Sequence, residues 1–363
     1  MDPSTRQVYE NGAAEWARRR PPRYRERAAA FSTRCLPGRA RVDLGCGPGS
    51  YFADLGRPLA GLEGAGAMLA LARRSGPDVA LVQGDLGALP FARGSFGGAW
   101  ARASYLHLPR TALPDALAQL HATLALAAPL EMSLRAGDTE GPVAGDDFPG
   151  RFFAEWRADP LADVVEGAGF ALDQLSDEGE WLVVRATRAR SLPDIVKPGM
   201  RVLVCGLNPS VVAADAGFGY AGPTNRFWPA AVMAGLVTVP RSPRLALWRD
   251  GVGMTDLVKR ATDRASELRP QEYQAGAGRV ARLVGWLQPR LTLFVGMTGW
   301  RAAVDRHALT GLQPELFGGR PAYLMPSTSG ANAHASLLDL VEHLKLALAY
   351  AESRGYGPGE GGR

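Results

Sequence analysis

Lysine is almost missing from this 363-residue chain: only Lys197, Lys259 and Lys345 occur, and arginine supplies the rest of the basic charge. With abundant alanine and glycine this suggests a GC-rich genome, so the arginine bias by itself says little about ligands. Cysteine is scarce too. Cys35, Cys46 and Cys205 stand far apart with no CxxC pair, which argues against a disulfide framework, a structural zinc site or an iron–sulfur cluster. The five histidines are equally scattered, and no metal site is expected. No apolar run is long enough to span a bilayer, because Arg, Gly or Pro interrupts every candidate. The opening MDPSTRQVYENGAAEW has no apolar stretch of the signal-peptide kind. A cytoplasmic protein with no membrane partner is therefore expected.

What is present is enough apolar matter, 46% of residues, to fill more than one core, and a length that favours two domains. Charge divides unevenly between them. Residues 191–363 hold 19 basic and 13 acidic side chains, whereas the first 190 hold 22 and 23. The net positive charge thus sits in the second half, where a phosphate-binding surface would use it.

Short apolar strands at residues 40–44, 59–62, 79–83 and 98–101 alternate with helical stretches at 67–74 and 112–126. A strand at 130–135, a helix at 160–168 and a strand at 181–187 complete the pattern. Strand alternating with helix predicts a parallel, doubly wound sheet, here a first domain over residues 1–188. The polar, Pro-bearing segment 189–199 reads as a junction. The pattern then restarts with the strand MRVLVCGLN, helices at 226–234, 272–286 and 300–306, strands at 291–295 and 322–324, and a final helix at 337–351. A second α/β domain over 200–355 is expected, with 356–363 as a disordered tail.

In the first domain, Val42-Asp43-Leu44-Gly45-Cys46-Gly47-Pro48-Gly49 follows a strand directly. Glycines there permit a tight turn and let a ligand lie against bare backbone. Glu63 closes the second strand, twenty positions after Asp43, where an acid suits two ribose hydroxyls. Asp85 follows the third, placed to accept from an adenine amino group. A dinucleotide fingerprint wants G-x-G-x-x-G, which Gly45–Gly49 does not fit.

Taken together, VDLGCGPG, LEGAGAML and VQGDLGALPF resemble the class I S-adenosylmethionine-dependent methyltransferases over about residues 35–188. The resemblance implies a Rossmann-like sheet, with S-adenosylmethionine held by Asp43, Gly45, Gly47, Gly49, Glu63 and Asp85. Two departures stand out. Glu63-Gly64-Ala65-Gly66 precedes Met68 where the family often has Asp-x-Ser-x-x-Met, and Phe96-Gly97 replaces its Phe-Asp. Neither motif of the DNA methyltransferases, N/D-P-P-Y/F or Pro-Cys, occurs in this domain, so the acceptor is unread. Tyr105 and His107 lie where family members contact substrate; the alternative is that His107 only packs or caps.

In the second domain, Gly206-Leu207-Asn208-Pro209-Ser210 puts an Asn on a turn at a strand's end. Gly217-Phe218-Gly219-Tyr220-Ala221-Gly222-Pro223 carries aromatics on a glycine-rich loop, and Ser327-Thr328-Ser329-Gly330-Ala331-Asn332 again follows a strand. Small polar residues on three strand-end loops would converge on one shallow site. GLNPS, GFGYAGPTNRFW and MPSTSGANAH, with LPDIVKPGMRVLVCG and GMTDLVKRAT, resemble the mismatch-specific uracil/thymine DNA glycosylases of the uracil-DNA glycosylase superfamily.

That resemblance, over about 191–350, implies base excision from mismatched or damaged double-stranded DNA without a cofactor. Asn208 would orient the attacking water. Leu207, Ser210, Gly219 and Tyr220 would hold the flipped base. Arg226, Ser327, Ser329, Gly330, Ala331 and Asn332 would meet the DNA, with Ala331 where the family commonly places Leu or Arg. For Arg226 and Ser327 two readings stay open: a phosphate contact, or a bond that caps or braces the loop itself. No lysine lies in GLNPS, GFGYAGPTNRFW or MPSTSGANAH, so a monofunctional enzyme leaving an abasic site is expected. Two other readings stay open. One is a small-molecule methyltransferase carrying a non-catalytic, nucleic-acid-binding glycosylase-like domain. The other treats the first half as an S-adenosylmethionine-sensing module.

Overall fold

The computed structural model describes residues 2–353, so the expected tail at 356–363 lies outside the described residues. The chain divides into two compact units between Ala189 and Arg190.

The first unit opens with two helices, α1 (Pro3–Arg19) and α2 (Arg25–Arg34). Strands β1 (Arg41–Leu44), β2 (Leu59–Glu63), β3 (Ala80–Gln83), β4 (Ala99–Arg102) and β5 (Pro129–Ala136) follow. Between them run α3 (Phe52–Leu55), α4 (Gly66–Ser75) and α5 (Leu113–Thr123). A hairpin of β6 (Glu140–Pro142) and β7 (Phe152–Trp156) precedes α6 (Ala158–Gly167), β8 (Phe170–Asp177) and β9 (Trp181–Arg188). The sheet runs β3-β2-β1-β4-β5, all parallel, and β9 closes it antiparallel to β5 with β8 beyond. This is the doubly wound sheet the alternation predicts, because a parallel neighbour needs a long crossover and a helix usually supplies it; β3 alone runs on to β4 through a loop, over 84–98. Strand order reverses between β1 and β4, where such sheets leave a crevice at the strands' carboxyl ends.

Sequence reading missed α1, because its turns are mostly polar. Its apolar residues are few: Ala13, Tyr9 and Trp16 pack against Met68 and Leu71 of α4. It also missed the β6–β7 hairpin and β8, whose side chains are largely exposed. The expected helix at 112–126 ends at Thr123, and Leu124 is already extended.

The second unit has β10 (Val202–Gly206), α7 (Val211–Ala216), α8 (Phe227–Met233), α9 (Pro243–Asp250) and β11 (Val252–Asp256). Then come α10 (Pro270–Leu287), β12 (Thr292–Val295), α11 (Thr298–Ala303), β13 (Gly311–Leu312), β14 (Ala322–Met325) and α12 (Leu337–Ser353). Its sheet is β11-β10-β12-β14-β13, parallel except for β13. Alternation along the strands fills two cores, one on each face. Val202, Val204, Leu293, Val295, Tyr323 and Met325 join α8 and α12. Leu203, Cys205, Phe294 and Leu324 join α10 and α11.

Most of segment 189–199 is not a junction but an edge of this second unit. Ile195 and Met254 exchange backbone hydrogen bonds of 2.9 Å. Buried Asp194 accepts from Thr255 (2.6 Å), Lys259 (2.8 Å) and Arg279 (2.7 Å). Burial alone would raise the Asp194 carboxyl; the charges of Arg279 and Lys259 outweigh it and hold the group below its ordinary value. The composition read as a linker because its polar residues have their partners elsewhere in the sequence.

Candidate functional site

The first unit holds a cavity of about 590 Å³ at the β1/β4 crevice. Of the residues expected at the cofactor, Asp43, Gly45, Gly47 and Glu63 line it and Gly49 does not. Gly45 has φ +70°, and a Cβ there would sit 2.4 Å from Ser104 Cβ, so only glycine fits. Asp43 is buried with Oδ2 unpartnered. Burial, and then the Glu63 charge, push its carboxyl up to about 8. Glu63 is also raised by burial, although Gly47, Gly64 and Ala65 donate their N–H groups to it at 2.7–3.0 Å. Asp85 is exposed beside the cavity rather than in its lining, and its Oδ1 accepts from the Gly87 N–H at 2.7 Å.

Around the cavity the structure adds groups that the motifs did not announce. Tyr9 and Trp16 of α1 line it, together with Arg102, Arg135, Arg151 and Trp181. His107 is buried and makes a fixed chain. Its Nδ1 lies 2.7 Å from the Phe152 carbonyl, which can only accept, so Nδ1 carries the proton. Nε2, 2.8 Å from Tyr9 Oη, is then the acceptor. Arg151 donates to Tyr9 Oη at 3.1 Å and pairs with Asp146. Burial pushes the imidazole down to about 4, so it is neutral near pH 7. Both ring nitrogens are committed, which favours the packing role of His107. Tyr105 is buried with an unpartnered hydroxyl and is not in the cavity lining.

The second site lies at the carboxyl end of β10. Asn208 Nδ2 donates to Thr262 Oγ1 (2.8 Å) and to the carbonyls of Arg260 (3.0 Å) and Pro209 (3.1 Å). Two of those partners can only accept, so the amide nitrogen faces them and Oδ1 is turned the other way. Ser210 caps α7 through the Ala213 N–H (3.1 Å). Tyr220 has φ +58° and stacks on Phe227 with centroids 4.1 Å apart. The loop is pinned where Trp228 Nε1 donates to the Gly219 carbonyl at 2.9 Å.

Asp256, at the end of β11 beside β10, was missed although it lies within GMTDLVKRAT. A Cβ on Gly206 would be 2.5 Å from Asp256 Oδ1 and 3.1 Å from Tyr220 Oη, so both oxygens converge over that glycine. Tyr220 Oη is buried and unpartnered. Burial pushes the Asp256 carboxyl up to about 6, with Lys259 and Arg279 pulling the other way and Asp194 adding to the rise. An acid at the end of the neighbouring strand was the available signal.

The third loop brings its expected residues together by internal bonds. Asn332 Nδ2 donates to the Ser327 carbonyl (2.8 Å), Ser327 Oγ accepts from the Ser329 N–H (3.3 Å), and Ser329 Oγ from the Ala331 N–H (3.3 Å). Ser329, Gly330 and Ala331 are exposed at its tip. Of the two readings of Arg226, a phosphate contact or a loop cap, the structure shows the cap. Its guanidinium donates to the carbonyls of Ser329, Asn332 and Ala335, so it holds this loop from within the domain. Among the described residues, no group of three or more His, Cys, Asp or Glu side chains is placed to hold a metal. No helix among them is long and apolar enough to cross a membrane.

Residues 42–126 match the family model of a methyltransferase domain, and residues 193–351 match that of the uracil DNA glycosylase superfamily. Similar solved structures include Burkholderia thailandensis 1,6-didemethyltoxoflavin-N1-methyltransferase with bound 1,6-didemethyltoxoflavin and S-adenosylhomocysteine. That likeness has 20% identity, covers 51% of this chain and 88% of that one, and has a TM-score of 0.42. The DhpI–SAH complex is 17% identical over 51% of this chain and 96% of its own, with a TM-score of 0.43. An S-adenosylmethionine-dependent methyltransferase from Mesorhizobium loti is 21% identical over 49% and 99%, with a TM-score of 0.38. A methyltransferase domain and a uracil-DNA-glycosylase-superfamily domain are therefore present in one chain, each with the α/β fold expected for it.

Proposed function

We propose that the second unit is a monofunctional DNA glycosylase acting on uracil, thymine or damaged cytosine in mismatched duplex DNA, and that the first is an S-adenosylmethionine-dependent methyltransferase. The observation that carries the glycosylase reading is Asn208, whose amide nitrogen is tied by three acceptors while Oδ1 is left to hold a water. A base inside a duplex is out of reach, so the nucleotide is flipped out, at a cost of a few kcal/mol that is least at a mismatch. Tyr220 has one face against Phe227, and its other face suits a flipped pyrimidine.

As the N-glycosidic bond breaks, its electron pair goes to the base and the sugar gains oxocarbenium character. The water on Asn208 forms the new bond to the anomeric carbon and loses its proton to solvent; the base takes one up. An amide is a weak base, so positioning carries the rate. Asp256 would face the base and favour the negative charge that develops there only in its protonated form.

In the first unit, the unpartnered Asp43 Oδ2 and the glycine turn fit S-adenosylmethionine. Asp43 and Glu63 would hold its polar groups while Gly45 and Gly47 let it approach the backbone. Gly49, expected in the same role, is outside the lining, and a Cβ there would meet the Phe52 ring at 2.5 Å, so it serves packing. When bound, it supplies a methyl group on a sulfonium, whose carbon–sulfur electron pair returns to sulfur as the acceptor takes the methyl.

Duplexes carrying G·U, A·U, G·T and ethenocytosine, treated with alkali after incubation, test the glycosylase. Alkali-dependent strand cleavage that falls by about 10²–10³ in Asn208→Ala is expected, the scale of losing one positioned polar group in a site. Folded protein that releases no base from any duplex would leave the second unit as a nucleic-acid-binding module.

A further inference from the structure

Three arginines of the cavity lining are at least half-buried, Arg102, Arg135 and Arg151, and Arg102 stands apart from the other two. Arg151 is held by Asp146, and Arg135 lies between Glu155 and Glu180. Arg19, Arg20 and Arg23 also line the cavity but are exposed. Arg102 has no carboxylate partner among the described residues. Its Cζ lies 4.0 Å from the Tyr24 ring centroid and 4.4 Å from that of Trp181. One terminal nitrogen donates to Ser133 Oγ at 2.7 Å, and its Nε is buried without a partner. With a ring on each of two sides and Nε closed to solvent, the terminal nitrogens are the part of Arg102 left to meet a ligand in the cavity it lines, and they suit carboxylate or phosphate. Burial lowers the group's pKa, yet a guanidinium stays charged. The result is a cation in a pocket wall with its counter-charge missing.

Its place in the sheet is informative. Glu63 ends β2, Asp43 lies on β1, and Arg102 ends β4. Strands are ~4.8 Å apart, so Arg102 is two strand spacings from the acid expected at the ribose and on the other side of the crevice. Ser104, two residues further, is buried with an unpartnered hydroxyl on the same wall. We propose that this wall is the acceptor subsite and that the methyl acceptor is a small molecule bearing a carboxylate or phosphate, held on Arg102 between Tyr24 and Trp181. The inference rests on the methyltransferase reading of the cavity.

Full-length protein is tested first for a thermal shift with S-adenosylhomocysteine, in wild type, Arg102→Gln and Arg102→Lys. Ligand-observed NMR then follows benzoate, phenyl phosphate and the uncharged benzamide. All three proteins should bind S-adenosylhomocysteine alike, which also shows the variants to be folded. Benzoate or phenyl phosphate should bind wild type at millimolar concentration, about tenfold more weakly in Arg102→Gln, and in between in Arg102→Lys. The tighter anion identifies the acceptor's group.

Equal binding to Arg102→Gln, equal binding of benzamide, or no anion binding to wild type overturns the proposal. Displacement of both probes by a single-stranded oligonucleotide, dependent on Arg102, overturns it in favour of a DNA acceptor. If S-adenosylhomocysteine fails to bind while the anions still need Arg102, the methyltransferase reading falls and the anion subsite stands.

Discussion

Asp256 and Asn208 show how differently single residues can be read. Asn208 announces itself, because an amide between a glycine-ended strand and a proline has little reason to be there for packing. Asp256 gives no such signal. Its importance depends on β10 and β11 lying side by side with Gly206 opposite Asp256 in register, a pairing that the sequence does not display. The same holds for Arg226, whose two readings, phosphate contact or loop cap, separate only once the loop carbonyls around it are placed. Asp85 belongs to the same lesson: the motif puts it after a strand, but only the fold shows it beside the cavity and not in its lining.

The Asp256 carboxyl, raised to about 6, makes a testable pH dependence. Below that value it is neutral and does not oppose negative charge on the leaving base; above it, the carboxylate does. Base excision in wild type should therefore slow as pH rises through about 6, while Asp256→Asn should show no such step. The linked stability has the same sign: with the folded value above the unfolded one, the contribution is full below about 4 and is lost as pH rises through 6. Excision that stays flat across this range in wild type would remove Asp256 from the base pocket.

Among elements, the strands were the more legible. Buried parallel strands such as β2, β10 and β12 are mostly apolar runs, and their expected bounds fall within a residue or two of those found. Helix α1 is the contrary case. It is held by a polar chain as well as by packing: Phe152 donates to Thr5 Oγ1 (2.7 Å), and Arg151, Tyr9 and His107 continue in sequence. Such partners lie about 100 or more positions away, beyond any periodicity.

Because the folded imidazole titrates at about 4, below its ordinary 6.5, its contribution is full above 6.5 and is lost as pH falls toward 4. Protonation would put a second donor against Tyr9 Oη and a cation beside Arg151. Tyr9→Phe should speed amide hydrogen exchange in α1 about fivefold at neutral pH, equivalent to a ~1 kcal/mol hydrogen bond. Wild type should lose the same protection between pH 6.5 and 4 once intrinsic exchange is corrected. Unchanged exchange in Tyr9→Phe would mean that Trp16 and Ala13 hold the helix by packing alone.

At the scale of the whole molecule, the two units have separate sheets and separate cores, and each keeps its own site. Two units with no shared strand should unfold as two transitions, since cooperativity follows packing within a domain. A ligand that binds one native unit stabilises that unit alone, by about 2.7 kcal/mol at a hundred times its dissociation constant. S-adenosylhomocysteine should therefore raise one calorimetric transition and leave the other in place. A duplex with a G·U mismatch should raise the second, and less so as salt increases, because phosphate contacts are lost to counterions. Breaking the buried Asp194 cluster labels the second transition independently: Asp194→Asn leaves Lys259 and Arg279 buried without their carboxylate, at a cost of about 3–5 kcal/mol, and should lower that transition only. If one ligand moved both transitions, or the Asp194 variant lowered both, the units would be energetically coupled. Methyl transfer and base excision would then have to be studied as one linked system.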